Sequence, residues 1–404
     1  MRDMAPKSIN GNKFYYVSLF SGCGGFDLGF SQAGFKCAGA IDVDKTALVV
    51  HSNNIDGKTY NFDLSNGQLP AGIPKQVDVV ISGSPCQGFS TLGKRKVDDP
   101  RNHLLIAGGN AALALKPKVF LAENVTSVKS GAHKQYWHKL DSLLKKSGYQ
   151  TKEIIIDSRD LGLAQRRRRI FLIAWNTNAK GSLDLPKCLP GNLRSALSNI
   201  EGQPNHSPTY LEKGSPEYLI AQRISPGHKL SNVRNGPRSI HTWDIPEVFG
   251  EIQEHDKYVL SEIIGLRRRI RVRENGDADP LPLALAKSTF GANAISRLVK
   301  AGYLRHVENG EECIDLCHAF NGTFRRFSWD SYSTTVDTRF CSPRYCLHPE
   351  EHRGFSVREA ARLQGFPDDF VFSDTKHDHV LVGNAVPPPV AHLLANFVRN
   401  VLLK

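Results

Sequence analysis

Between residues 15 and 26 the chain passes from an apolar run, Tyr15–Phe20, directly into Ser21-Gly22-Cys23-Gly24-Gly25-Phe26. A strand that ends in clustered glycines and reopens as a helix constrains the fold strongly. Glycine lets the backbone turn sharply there and come close to a ligand. The same alternation continues downstream. Phe35–Ile41 reads as a second strand, with a helix near Lys45–His51. Val77–Ser82 is a third apolar run, His103–Leu115 reads as a helix, and Val119–Ala122, Ile154–Ile156 and Ile170–Trp175 read as further strands. Strands alternating with helices predict an α/β fold with a mostly parallel sheet. The nicotinamide fingerprint GxGxxG is not met, because Asp27 stands where its third small residue belongs. Asp42, at the end of the second strand, is placed to hold the two hydroxyls of a ribose. A plain strand-to-helix turn followed by a solvated Asp would read the same way.

The pattern changes from about Asn176 to Arg344. Periodicity weakens, Pro, Gly, Ser and Asn become frequent, and basic residues cluster. This predicts a smaller irregular domain over 181–344, with 1–180 and 345–404 forming the other. Regular structure returns in Ser356–Gln364 and in a last helix from about Val390 to Leu403. The net charge of +12 favours a polyanionic partner such as nucleic acid. The N-terminal stretch lacks a secretory pattern, and no run reaches the ~18 apolar residues of a membrane helix. Eight scattered cysteines fit a reducing compartment better than a disulfide scaffold. The expectation is a soluble, cytoplasmic protein.

Gly83-Ser84-Pro85-Cys86-Gln87-Gly88-Phe89-Ser90 follows the third apolar run. It puts a cysteine in a Pro/Gly-constrained loop at the carboxyl end of a strand, the edge where open α/β sheets bind ligands. Thiols react as thiolates, so neighbouring cations would activate Cys86. A buried structural cysteine is the alternative. Two arginine runs stand out. Arg166–Arg169 precedes the strand Ile170–Trp175, and in an extended segment Arg167 and Arg169 share a face. The second is a dense basic run of Arg267, Arg268, Arg269, Arg271 and Arg273; within 269–273 the arginines alternate with Ile270 and Val272, so a strand there would present one charged face suited to phosphate or guanine. A solvated face is the alternative for both runs. Cys313, Cys317, His318, Cys341 and Cys346 lack the usual CxxC pairing, so no metal is expected.

Six blocks in order resemble the cytosine-5 DNA methyltransferase family. They are FSGCGGFDLGF, GSPCQGFS, Glu123-Asn124-Val125, Gln165-Arg166-Arg167-Arg168-Arg169, the Arg358–Pro367 block REAARLQGFP, and Gly383-Asn384-Ala385-Val386-Pro387-Pro388. The resemblance brackets nearly the whole chain and leaves the middle as the family's variable target-recognition region. It implies a class I methyltransferase, Rossmann-like fold and S-adenosylmethionine as methyl donor, with S-adenosylhomocysteine as product. It implies Cys86 as the nucleophile on carbon 6 of a flipped cytosine, and Glu123 at ring nitrogen 3. Arg167 and Arg169 would serve the base and the catalytic loop. For the donor it implies contacts from Phe20, Gly22, Gly24, Asp42, Val43, Asp63, Pro85, Leu104 and Asn384. Asp42 replaces the family's usual Glu, and Val43 stands where an aromatic is common. For DNA it implies Gln87 and Ser90, and, from the recognition region, Arg325, Arg326 and Thr335 beside the second arginine run. The compact recognition region resembles bacterial restriction-linked enzymes, implying a monomer on double-stranded DNA and a possible cognate endonuclease. Rival readings are an RNA cytosine-5 methyltransferase on the same scaffold, disfavoured by the absence of a Cys-Phe-Thr motif, and a silent DNA-binding regulator, disfavoured by the intact Cys86, Glu123, Arg167 and Arg169.

Overall fold

The computed structural model describes residues 13–85, 100–231, 238–272, 278–317 and 323–403. The chain divides into two units. The first comprises 1–207, 330–339 and 357–404, and the second 208–329 and 340–356.

The first unit follows the alternation in the sequence. In order come β1 (Tyr15–Leu19), α1 (Gly25–Gln32), β2 (Lys36–Asp42), α2 (Lys45–Asn54), β3 (Thr59–Asn61), β4 (Val79–Ser82), α3 (Leu104–Ala114), β5 (Val119–Val125), α4 (Lys134–Lys146), β6 (Gln150–Asp157) and β7 (Arg168–Trp175). The sheet order is β3-β2-β1-β4-β5-β7-β6, with β7 antiparallel to both neighbours and the other pairs parallel. Strand order reverses between β1 and β4, which opens a crevice at their carboxyl ends.

Side-chain alternation along the strands sorts the core into two layers. Val17, Val80, Phe120 and Leu172 face α3 and α4, where Leu105, Trp137, Leu140 and Leu144 complete one apolar cluster. Tyr16, Val79, Ile81, Leu121 and Phe171 face α1 and the closing helix Pro388–Phe397. There Gly29 permits a very close approach: a Cβ on it would lie 2.4 Å from both Ala391 Cβ and His392 N. The stretch 181–207, assigned by sequence to the middle domain, belongs to this unit. Leu183 and Leu185 pack with Phe397 and Leu402, and Arg362 donates to the Ser198 and Asn199 carbonyls. The stretch 345–356 goes the other way, because Cys346-Leu347 pairs with Arg325-Arg326 in the second unit.

That second unit is more regular than its weak periodicity predicts. Val259, Leu260 and Ile263 of the helix Glu254–Arg269 pack on the hairpin Leu304–Glu308/Glu312–Leu316 and on two short helices, Leu283–Phe290 and Ala292–Lys300. Gly291, at φ +84°, breaks those two helices apart. A four-stranded sheet covers a second small core around Ile220, Ile224 and Leu230. No helix among the described residues is long and apolar enough to cross a membrane.

Candidate active site

The crevice at the β1/β4 switch begins with the glycine turn. Phe20 (φ +54°), Gly22 (φ +53°) and Gly24 (φ +95°) all adopt left-handed backbone, a strained state for Phe20. A Cβ on Gly22 would meet nothing within 4 Å, so this part of the turn faces open space. Asp42, ending β2, ties the turn down. Its carboxylate accepts from Gly22 N at 2.8 Å and from Asp44 N at 2.9 Å, while burial pushes its pKa up. Val43 beside it leaves 59% of its surface exposed. Asp63, just past β3, is exposed and accepts from Ser65 N at 2.8 Å. On the other side, Gly83 N donates to Leu19 O at 3.1 Å, so the β4 loop leading to Pro85 starts against β1. Leu104 opens α3. One turn on, Gly108 leaves room for the Phe20 ring, which a Cβ there would meet at 3.1 Å.

Asn384 ends the helix Asp378–Asn384 and is exposed. The segment carrying it lies against the glycine turn. Cys23 Sγ donates to Leu381 O at 3.6 Å, and a Cβ on Gly25 would come 2.5 Å from Val386 O. Beneath the turn, Asp27 accepts from the Ser18 hydroxyl at 2.9 Å and faces His51 Nε2 at 3.2 Å, with both side chains fully buried.

A second group of side chains gathers at the carboxyl ends of β4 and β5 and the amino end of the antiparallel β7. Glu123 stands one residue past the last β4–β5 pair, Ser82–Ala122, and is 8% exposed. Burial raises its pKa, and the neighbouring Arg169 and Arg167 oppose that rise. Arg169 Nε meets Glu123 Oε1 at 2.9 Å. Asn124 donates from Nδ2 to Ser84 O at 3.4 Å, which links β5 to the chain entering the cysteine motif. Cys86, Gln87 and Ser90 lie outside the described residues, as does Arg273.

Three arginines differ from their sequence reading. Arg167 does not share an open face with Arg169. It is 2% exposed, and its guanidinium donates to Val336 O at 2.8 Å, Gly383 O at 3.1 Å and Ala385 O at 2.8 Å. The second run begins in a helix, because Arg267, Arg268 and Arg269 form its last turn, and Arg269 is where the strand was expected to start. At 3.6 residues per turn they point in different directions. Arg267 is buried and held by Asp279 O, Ala278 O and the Asp315 carboxylate. Arg269 and Arg271 are exposed. Arg326 is a buried brace donating to the Ala221, Ile224, His348 and Glu351 carbonyls, and burial lowers its pKa to about 10. Arg325 beside it is half-buried. In the first unit, the Thr335 hydroxyl donates to Arg166 O at 2.7 Å.

An open α/β sheet with a glycine turn and a buried Glu–Arg pair at its carboxyl edge is the framework of a methyl-group transferase. Residues 14–399 match the C-5 cytosine-specific DNA methylase family, and the chain belongs to that family of DNA (cytosine-5)-methyltransferases. Curated relatives include the Type II methyltransferase M.XorII of Xanthomonas oryzae pv. oryzae, 29% identical over 96% of this chain and 85% of the relative. Another is the Type II methylase M.HgiEI of Herpetosiphon aurantiacus, 29% identical over 97% of this chain and 98% of its own length. Among solved structures, a DNA modification methyltransferase encoded within an E. coli prophage aligns with TM-score 0.59 and 25% identity, over 97% of this chain and all of that one. The Entamoeba histolytica methyltransferase EhMeth, at 14% identity and TM-score 0.55, shares the fold over 98% of this chain and all of its own.

Proposed function

We propose that this enzyme flips a cytosine out of duplex DNA and methylates its carbon 5, with Cys86 as transient covalent nucleophile and S-adenosylmethionine as donor. The observation that carries the reading is the Glu123–Arg169 pair, packed beside the β4 loop that runs into Cys86. Carbon 5 of cytosine is a weak nucleophile. Addition of the Cys86 thiolate to carbon 6 makes the ring enamine-like and lets carbon 5 accept the methyl group. Glu123, with its pKa raised by burial, is suited to keep a proton and share it with ring nitrogen 3. Arg169 steadies that carboxyl and offers donors to the base carbonyl. Transfer of the carbon 5 proton to water then expels Cys86 as thiolate, and the nitrogen 3 proton returns to Glu123, restoring the aromatic ring. Extruding the base costs a few kcal/mol.

The crevice fits the donor. The open space at Gly22, the Asp42 carboxylate and the uncovered Val43 side chain are suited to its amino-acid, ribose and adenine parts in turn. When bound, S-adenosylmethionine supplies the methyl group. Phe20, Gly24, Asp63, Pro85, Leu104 and Asn384 complete the proposed lining. Arg269, Arg271, Arg325 and Thr335, with Gln87 and Ser90, are proposed DNA contacts. The Type II names of the relatives support a restriction–modification setting. In that setting the proposed enzyme works as a monomer in the bacterial cytoplasm, beside an endonuclease for the same site.

Incubation with duplexes of varied sequence containing 5-fluorocytosine, plus donor, tests the mechanism. Fluorine cannot leave as a proton does, so a covalent protein–DNA adduct should accumulate, and Cys86→Ser should abolish it. Adduct formation only with the equivalent RNA would transfer the activity to RNA. No adduct on either, from folded protein that binds the donor, would overturn the mechanism.

A further inference from the structure

The segment Leu381–Val386 rests on the glycine turn, as described above, and on its other side it meets an unusual set of partners. Gln364 and Gln165 are both fully buried. Gln364 Nε2 donates to Val382 O at 2.8 Å. Gln165 Nε2 donates to Gln364 Oε1 at 2.7 Å, and Gln165 Oε1 accepts from Val336 N at 3.1 Å. The relay therefore runs Val336–Gln165–Gln364–Val382, and Arg167 closes it by holding Val336 O, Gly383 O and Ala385 O. Gly383 fits because it lacks a side chain. A Cβ there would sit 2.5 Å from Asp337 C and Thr338 N.

Two carboxamides without exposure are a poor means of gaining stability. Replacing a hydrogen-bonded pair by apolar groups of similar shape is often nearly neutral, whereas the hydrogen bonds impose direction. What they direct here is the peptide chain at 382–385, which presents Asn384. We propose that Gln165 and Gln364 are positioning residues for the methyl donor: their relay fixes the backbone behind Asn384 against the glycine turn and so sets donor affinity. This inference rests on the donor crevice proposed above.

The test uses the whole protein and S-adenosylhomocysteine as probe, followed by calorimetry, beside thermal melting and steady-state kinetics. Gln364→Met and Gln165→Met should each weaken S-adenosylhomocysteine binding about tenfold. The donor KM should rise in step, kcat should change less, and DNA affinity should stay unchanged. The double variant should be no worse than the single ones, because one relay is lost in all three. Gln364→Glu keeps the acceptor for Gln165 and can donate to Val382 O only when protonated. It should bind the probe more tightly at pH 6 than at pH 8, and it serves if the Met variants do not fold. Folded variants that melt earlier yet bind the probe within twofold of the parent would show a merely structural role and overturn the inference. A parent protein that binds no S-adenosylhomocysteine would instead remove the donor reading, and this inference with it.

Discussion

At Glu123 two influences oppose each other. Enclosure favours the protonated acid, while Arg169 and Arg167 favour the carboxylate, and enclosure prevails. An acid whose folded pKa is raised keeps its proton into less acidic solution and loses it as pH climbs through the raised value. The methylation rate should therefore fall on the alkaline side of that value. Glu123→Gln should remove this limb of the kcat–pH profile and lower kcat by about 10²–10⁴-fold, as measured by transfer of a labelled methyl group. Asp27 and His51 make a different case. They face each other in complete burial, so His51→Leu leaves Asp27 Oδ1 buried without its nearest polar neighbour. A loss of about 1–3 kcal/mol is expected in denaturant melts, and a concurrent Asp27→Asn should recover part of it. These residues also show the limit of reading side chains from sequence. The acids and the glycine turn were legible because strand ends in an alternating fold lie at one edge. Arg167, Arg267 and Arg326 were not. An arginine that braces buried carbonyls and one that faces a phosphate are written with the same letter, and only the carbonyls around it decide.

At the scale of elements, β1, β2, β4, β5 and α1 to α3 follow directly from the alternation of apolar runs and turn residues, whereas the short edge strand β3, Thr59–Asn61, has no apolar run to mark it. The edge strand β6 runs from Gln150 to Asp157, well beyond the three isoleucines that mark it, because Thr151, Lys152 and Glu153 pair with β7 through backbone alone. Helix α4 shows a readable stripe, Tyr136, Trp137, Leu140 and Leu144, but its surrounding lysines and histidines obscure it. Glycines 25 and 29 carry another lesson. In sequence Gly25 reads as part of a ligand turn and Gly29 only as part of the motif that continues into the helix. In the fold they lie one helical turn apart in α1 and admit the closing helix and the strand of chain before it. Gly29→Val should accordingly destabilise the protein by about 1–3 kcal/mol or more through overpacking. It should leave the affinity of the remaining folded protein for S-adenosylhomocysteine unchanged, a contrast that melting and calorimetry on one sample would reveal.

For the molecule as a whole, the excess of 52 basic over 40 acidic residues gives a field that attracts polyanions. If Arg269 and Arg271 each neutralise one phosphate, replacing both by Ala should weaken binding to all duplexes alike. It should also reduce the slope of log affinity against log salt by about 2, read from titrations at several ionic strengths. Arg267→Ala should instead unfold the second unit locally, because its partners are Asp315 and two backbone carbonyls. The division into units was legible only in outline. Weak periodicity between 176 and 344 marked a second body, but beyond the helix Glu254–Arg269 its helices are short, two of them are split by Gly291, and they share their core with the hairpin Leu304–Glu308/Glu312–Leu316. Boundaries set by such distant pairings, Gln165 with Ser333 or Arg325 with Cys346, leave no local trace.

The ten residues 330–339 belong to the first unit although the chain on either side of them belongs to the second. If the second unit sets sequence preference, as the target-recognition reading expects, a transplant of that preference between enzymes of this kind cannot be made with a single cut-and-paste cassette. The donor sequence would have to arrive as two pieces, 208–329 and 340–356, with the host's own decapeptide retained between them. A chimera that swaps the uninterrupted stretch 208–356 would replace Ser333, Thr335 and Val336, and with them the partners of Gln165, Arg166 and Arg167.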